Sequence, residues 1–273
     1  MYPNQVDLQL EDSVELVDTH CHLDVEPLAS TLEETLESAR RAGVTRFVIP
    51  GVHPGGWERM AALASGRKGI FTAFGIHPMH AGVVDDHLLV RLEEFAPTGI
   101  AIGEIGLDPA YQVPLEVQEQ AFRRQLRLAV RLGLPILVHC RRAFRRTLQI
   151  LKEEHAGQVR GIMHAFSGSP EMALEFIRLG FLVSISGVVT WTNAVRPVKL
   201  ARELPLESLV LETDAPDLTP QAYRGQPNQP AFLAEVLGAV ARIRGICPDD
   251  LARQTTKNAA GLLSLPDSLP PEG

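Results

Sequence analysis

The chain has 273 residues, 45% of them hydrophobic, and a formal net charge of −7 from 26 Lys and Arg against 33 Asp and Glu. That length allows one large domain or two small ones, the acidic balance excludes coating nucleic acid by bulk electrostatics, and no run reaches the roughly 20 apolar residues of a membrane span. Three widely spaced cysteines, Cys21, Cys140 and Cys247, make neither a disulfide framework nor a CxxC knuckle. The acidic start MYPNQVDLQLEDSVEL also lacks the basic and apolar regions of a signal peptide, so a soluble cytoplasmic protein is the expectation.

Short β-branched apolar runs recur from end to end, most separated by amphipathic stretches that stop at glycine. ELVDTH is the first predicted strand and carries His20 and His22 at its end. LASTLEETLESARRAG follows, with Leu28, Leu32, Leu36 and Ala39 at helical spacing and a stop at Gly43. RFVIPG is the second strand, trailed by His53 and by Trp57, which is expected to pack on the body of the protein. IFTAFG is the third, with His77 after it, and GIAIGE the fourth, ending in Glu104 with Asp108 just beyond. A long helix, LEVQEQAFRRQLRLAVRLG, closes at Gly133.

PILVHC is the fifth strand and ends in His139; Arg141, Arg142, Arg145 and Arg146 follow it, the last two expected at the start of a helix. GIMHAF, the sixth, presents His164 and leads into SGSPEMALEFIRLG, where Ser169 reads as N-cap and Pro170 as the first helical residue. FLVSIS is the seventh and LVLETD the eighth, ending in Asp214. Eight near-continuous apolar strands alternating with helices predict an α/β fold of the (β/α)8 TIM-barrel type, a single domain over 1–273 with its core at about 14–264 and a loose tail over 265–273.

In such a barrel the chemistry gathers at the C-terminal ends of the strands. Each polar residue there is a weak signal alone: with nine histidines, an HxH pair arises by chance about 0.3 times. Together, His20, His22, His139 and His164 with Glu104 and Asp214 are four imidazoles and two carboxylates delivered to one rim. Residues i and i+2 of a strand share a side, so His20 and His22 aim together while Cys21 turns away. Imidazole and carboxylate suit Zn, Mn and similar divalent ions. Six ligands exceed one tetrahedral ion and suit two ions sharing a carboxylate, with Glu104 as the bridge. Asp214 is placed to ligate one ion and accept a proton from water.

The motifs DTHCHLD, GIHP, GEIGLD, PILVHCR, HAFSG and LETDAP, in this order, closely resemble those of the TatD family of metal-dependent hydrolases, over about residues 16–262. The resemblance implies an amidohydrolase-like barrel with two divalent ions (Zn, Mg or Mn) and deoxyribonuclease activity, typically 3′ to 5′ exonucleolytic. It assigns His20, His22 and Asp214 to one metal, His139 and His164 to the second and Glu104 to both, with Glu104 and Asp214 in the catalytic role. It also makes His77 and Arg141 contacts to substrate phosphate; apart from the resemblance, the guanidinium of Arg224 is a weaker candidate to fork onto phosphate oxygens. Three positions depart from the family pattern: Pro109 where an aromatic is usual, Arg142 where an acid is common, and PNQP with Gln229 in place of the glutamate of RNEP. DNA is the expected substrate, with no stable protein partner and a monomer favoured. The same metal chemistry on carbonyl esters or amides, as in an aminoacyl-tRNA deacylase, amidase or lactonase, is the alternative.

Overall fold

The computed structural model describes residues 14–266; the sequence expectations for the acidic N-terminus and for all but the first two residues of the tail lie outside them. Eight strands form one parallel sheet in sequence order: β1 (Leu16–Asp18), β2 (Val44–Pro50), β3 (Ile70–Phe74), β4 (Ala101–Leu107), β5 (Ile136–Cys140), β6 (Gly161–Met163), β7 (Phe181–Ile185) and β8 (Leu209–Leu211). Helices α1 (Leu32–Arg41), α2 (Trp57–Ser65), α3 (Asp86–Phe95), α4 (Leu115–Leu132), α5 (Phe144–Glu153), α6 (Pro170–Arg178), α7 (Arg196–Glu203), α8 (Leu233–Arg244) and α9 (Pro248–Leu263) join or follow them. No helix among the described residues is long and apolar enough to cross a membrane.

The sheet closes on itself just above the strands rather than within them. Beyond β1 and β8 the backbones continue to pair: Thr19 N–H donates to the Leu211 carbonyl, Asp214 N–H to that of His20, and His22 N–H to that of Ala215. The buried Asp18 carboxylate accepts the N–H and the hydroxyl of Thr213 at 2.9 and 2.5 Å. The chain is thus a nearly closed (β/α)8 barrel and a single domain.

Two apolar layers follow from the two-residue period of a strand. Phe47, Ile49, Leu209 and Leu211 point outward into the layer shared with the helices. Val17, Val48, Ala73, Ala101, Leu137, Ile162 and Val210 form the inward set, roughly one residue per strand. Ala259, Leu262 and Leu263 of α9 join that inner cluster, so side chains fill the lumen and the last helix stops its lower end. Trp57 is fully buried against Phe74 and Phe95, as its position after β2 suggested. Ser169 caps α6 by accepting the Met172 N–H, and α4 ends on Gly133 at φ 69°.

Candidate metal centre

The inward parity that fills the lumen also lifts polar side chains to its upper mouth. Leu137 and Ile162 point in, so two residues further on His139 and His164 do as well, and Val210 raises Glu212 in the same way. β4 is different. Ala101 points in, and unbroken alternation would turn Glu104 outward; the pairing of β4 with β5 shifts between Ile102 and Ile105, and this irregularity redirects the carboxylate. The backbones approach too closely there for larger residues: a Cβ on Gly103 would lie 2.6 Å from that of Leu137, and one on Gly106 1.8 Å from the His139 carbonyl oxygen.

Glu104 stands at the centre, 3% exposed. Its Oε2 is 3.2 Å from His20 Nε2. Its Oε1 is 2.8 Å from His139 Nδ1, 3.6 Å from His77 Nε2 and 3.7 Å from His164 Nε2. Asp214 Oδ1 lies 3.7 Å from the Nε2 atoms of His20 and His164 and 3.6 Å from that of His22. All six residues of the predicted ligand set therefore converge. Cys21 is turned away into the body, its sulfur toward the Val48 carbonyl.

Potential ligand atoms within 4.8 Å of one another fall into three groups: His20, His22 and Asp214; His20, His164 and Glu212; and His77, Glu104 and His139. The first is the set expected for one ion. The third contains His77 in place of His164, but the tautomer of His77 speaks against ligation. Its Nδ1 accepts the Met79 N–H, which leaves the hydrogen of the neutral ring on Nε2, the atom that faces Glu104. Burial holds the pKa of His77 down to about 3, so the ring stays neutral and presents an N–H donor.

Glu212, which the sequence reading passed over, is fully buried behind His164. Its Oε1 accepts the Ala165 N–H at 2.7 Å and its Oε2 is 3.1 Å from His164 Nδ1. Such a carboxylate leaves the opposite ring nitrogen, Nε2, to face the centre. Asp108 does the same for His139, with Oδ2 3.2 Å from Nε2, while its Oδ1 takes the Ala110 N–H of the following turn. One side chain thus orients His139 and holds the turn that follows β4. Two fully buried glutamines on one face of α4 set the height of these loops. Gln118 bonds both backbone groups of Asp108, and Gln125 both of Ile76, next to His77.

Electrostatics match this arrangement. Burial would raise the pKa of Glu104, but His20, His164, His77 and His139 hold it well below its usual value. Burial also disfavours a charged His164, yet Glu212, Asp214 and Glu104 outweigh it and push the ring up to about 10. For His139, hydrogen bonds to the carboxylates of Asp108 and Glu104 overcome burial in the same direction. The donor set fits divalent cations on its own chemistry: both ring nitrogens of His20 are buried without a hydrogen-bond partner, and buried polar atoms left so require an explanation. A cation between His20 and the carboxylates provides one.

The substrate candidates are placed less uniformly. His77 lines the cleft of about 310 Å³ above the centre, as does Tyr111, whose ring lies 5.4 Å from that of His77. Tyr111 brings an aromatic to the site two residues after Pro109. Arg141 is exposed outside that cleft, near enough for its charge to lower the pKa of Asp108. Arg224 lies over the Trp191 ring at 4.8 Å instead. Arg146 pairs with Glu119 on the surface. In the PNQP segment Asn228 is the working residue: its amide donates to the carbonyls of Thr213 and Asp217, holding the loop that carries Asp214.

Residues 17–264 match the family model described as TatD related DNase. The chain belongs to the TatD family. It is 36% identical to the uncharacterized metal-dependent hydrolase YabD of Bacillus subtilis (strain 168) over 253 residues, 92% of this chain and 99% of that one. It is 34% identical to the uncharacterized metal-dependent hydrolase YjjV of Escherichia coli (strain K12), over 92% and 98% of the two chains. The crystal structure of YjjV, a TatD homolog, superposes with a TM-score of 0.87. The protein is thus a TatD-family metal-dependent hydrolase, and its clustered imidazoles and carboxylates suit a divalent cation.

Proposed function

We propose that this hydrolase is a deoxyribonuclease that cleaves phosphodiester bonds from the 3′ end of DNA with two divalent ions, Zn, Mg or Mn. The observation that carries the reading is the division of Glu104: one oxygen faces His20, the other His139, His77 and His164. Its two oxygens suit it to share two cations, one with His20, His22 and Asp214, the other with His139 and His164. The description of the matching family model supports DNA as substrate. When bound, such a pair of ions acidifies a water and neutralises oxygens of the reacting phosphate.

The side chains divide the remaining work. Burial would raise the pKa of Asp214, but His164, His22 and His20 hold it below its usual value, so the carboxylate is ionised at neutral pH and able to accept a proton from the attacking water. His77 donates its Nε2–H to a non-bridging phosphate oxygen. Arg141, on the rim, meets the strand outside the cleft. Val25, Val52 and Met79 give the cleft apolar walls against which sugar or base can rest.

The test is a panel of single-stranded DNA, duplex DNA, RNA and simple carbonyl esters, each with Mg, Mn or Zn. Divalent-dependent shortening of DNA from its 3′ end is expected. His139→Ala and Asp214→Asn should reduce turnover to the buffer background while the circular dichroism spectrum stays that of the parent. Ester turnover without nuclease activity would replace this reading with carbonyl hydrolysis.

A further inference from the structure

A second cavity, of about 370 Å³, opens beside the metal cleft and shares Val25 and Val52 with it as walls. Its polar lining comes from Asp24, His53 and Arg59. None of these belongs to the ligand set.

Two features make it resemble a binding site. Asp24, with its side chain 6% exposed, accepts an N–H of Arg59 at 2.8 Å, and the Arg59 side chain remains 56% exposed. A buried carboxylate therefore anchors the guanidinium by one nitrogen and leaves most of its fork open. His53 repeats the device found at His77. Each histidine lies three residues beyond its strand, precedes a proline, and caps the following turn by accepting an N–H two residues on: Gly55 at His53 and Met79 at His77. In both, the occupied Nδ1 puts the hydrogen of the neutral ring on Nε2. The two turns are also joined, because His77 N–H donates to the Val52 carbonyl. Neighbouring strands β2 and β3 thus present equivalent imidazole donors side by side, one at the metal centre and one at the second cavity.

A donor device repeated one strand over suits a ligand whose anionic groups also repeat. We propose that the cavity bounded by His53, Arg59 and Asp24 is a subsite for the phosphate next to the scissile one along a nucleic-acid strand. This rests on the phosphodiesterase reading above. Arg59 supplies the charged donors and His53 its Nε2–H. Asp24 offsets much of the positive charge, which favours release of the strand between successive cuts over tight retention.

The experiment compares a substrate with a single phosphodiester, bis(p-nitrophenyl) phosphate, with a thymidine tetranucleotide, in the metal-loaded parent, Arg59→Gln and His53→Asp. Gln retains an amide donor for Asp24. Asp retains an acceptor for the Gly55 N–H but puts a negative charge in the cavity. The ratio of KM for the tetranucleotide to KM for the single diester should rise about tenfold in each variant. An unchanged ratio in both, with folding verified by melting, overturns the subsite. A parallel arm measures equilibrium binding of phosphorothioate thymidine oligomers with one, two and three linkages. If the parent turns over neither substrate, the phosphodiesterase reading falls. The subsite then stands only if Arg59→Gln abolishes the affinity gained with the second linkage, and it falls if that gain persists.

Discussion

At the scale of single residues, the convergence of the six imidazoles and carboxylates was legible because they stand at the ends of apolar runs, where a charged or imidazole side chain has no packing role. Glu212 was not, since it sits between Leu211 and Asp214 in a run that already had its functional residue. Parity was the available signal: Glu212 is two residues from both inward Val210 and Asp214, and a buried carboxylate needs a partner. Replacing it with Gln keeps the shape but removes the charge behind His164. Affinity for the second ion should fall about 10- to 100-fold, read by titration with a chelating competitor; an unchanged affinity would reduce Glu212 to a packing role. His164 adds a proton count. Because its ring titrates at about 10 in the metal-free protein and a ligating imidazole must be neutral, loading at pH 8 should release protons. Calorimetry in two buffers of different ionisation enthalpy measures that release, and equal heats in both would contradict it.

Asp18 illustrates a different cost. Burial raises its pKa to about 7 despite the Thr213 and His20 hydrogen bonds, whereas an unfolded aspartate titrates near 3.8. Between those values the folded protein holds the proton and the unfolded chain does not, so this group's stabilising contribution is full below pH 3.8 and declines until pH 7. Asp18→Asn should flatten that component. Urea melts of metal-free parent and variant from pH 4 to 8 would show it, and parallel profiles would count against it.

Among the elements, helices and strands followed their periodicity and caps closely, with Ser169, Gly133 and the eight apolar runs all in their expected roles. β1 is shorter than its sequence run: it ends at Asp18, and His20 and His22 stand in a segment held by backbone bonds to the chain after β8. That pairing is non-local, so no local pattern could announce it. The turning of Glu104 has the same origin. GEIG reads as an ordinary strand end, but the shift against β5 depends on glycines that let two backbones close. Gly106→Ala would drive a methyl into the His139 carbonyl. It should destabilise the barrel by more than about 3 kcal/mol and impair metal uptake even in molecules that fold; a variant with parental melting and metal content would show that β5 can yield.

For the molecule as a whole, the barrel was readable because eight units leave few other ways to cover a parallel sheet. What sequence could not supply was which rim residues face the cleft. Arg141 stood beside His77 as a phosphate contact and Arg224 as a weaker one, yet of the three only His77 lines the cleft, because loop geometry rather than strand parity directs the two arginines. Binding of cations to the folded state alone must also raise global stability. With free metal at 100 times its Kd the gain is about 2.7 kcal/mol, or roughly 5–10 °C in Tm for a chain of this size. Thermal melts with Zn or Mn against chelator measure it, and coincident curves would argue that the centre holds no cation.

The seam between β8 and β1 sets an order of events during synthesis. His20 and His22 precede β2, but Asp214, their carboxylate partner, is made only after seven strands have been synthesised. Glu104, His139 and His164 come from consecutive strands and can meet much earlier. A nascent chain stalled before β8 would therefore have Glu104, His139 and His164 but lack the Asp214 carboxylate that faces His20 and His22. The group that includes Asp214 is thus completed by the same segment that locks the circle, while α8 and the helix that stops its lower end are still to be made.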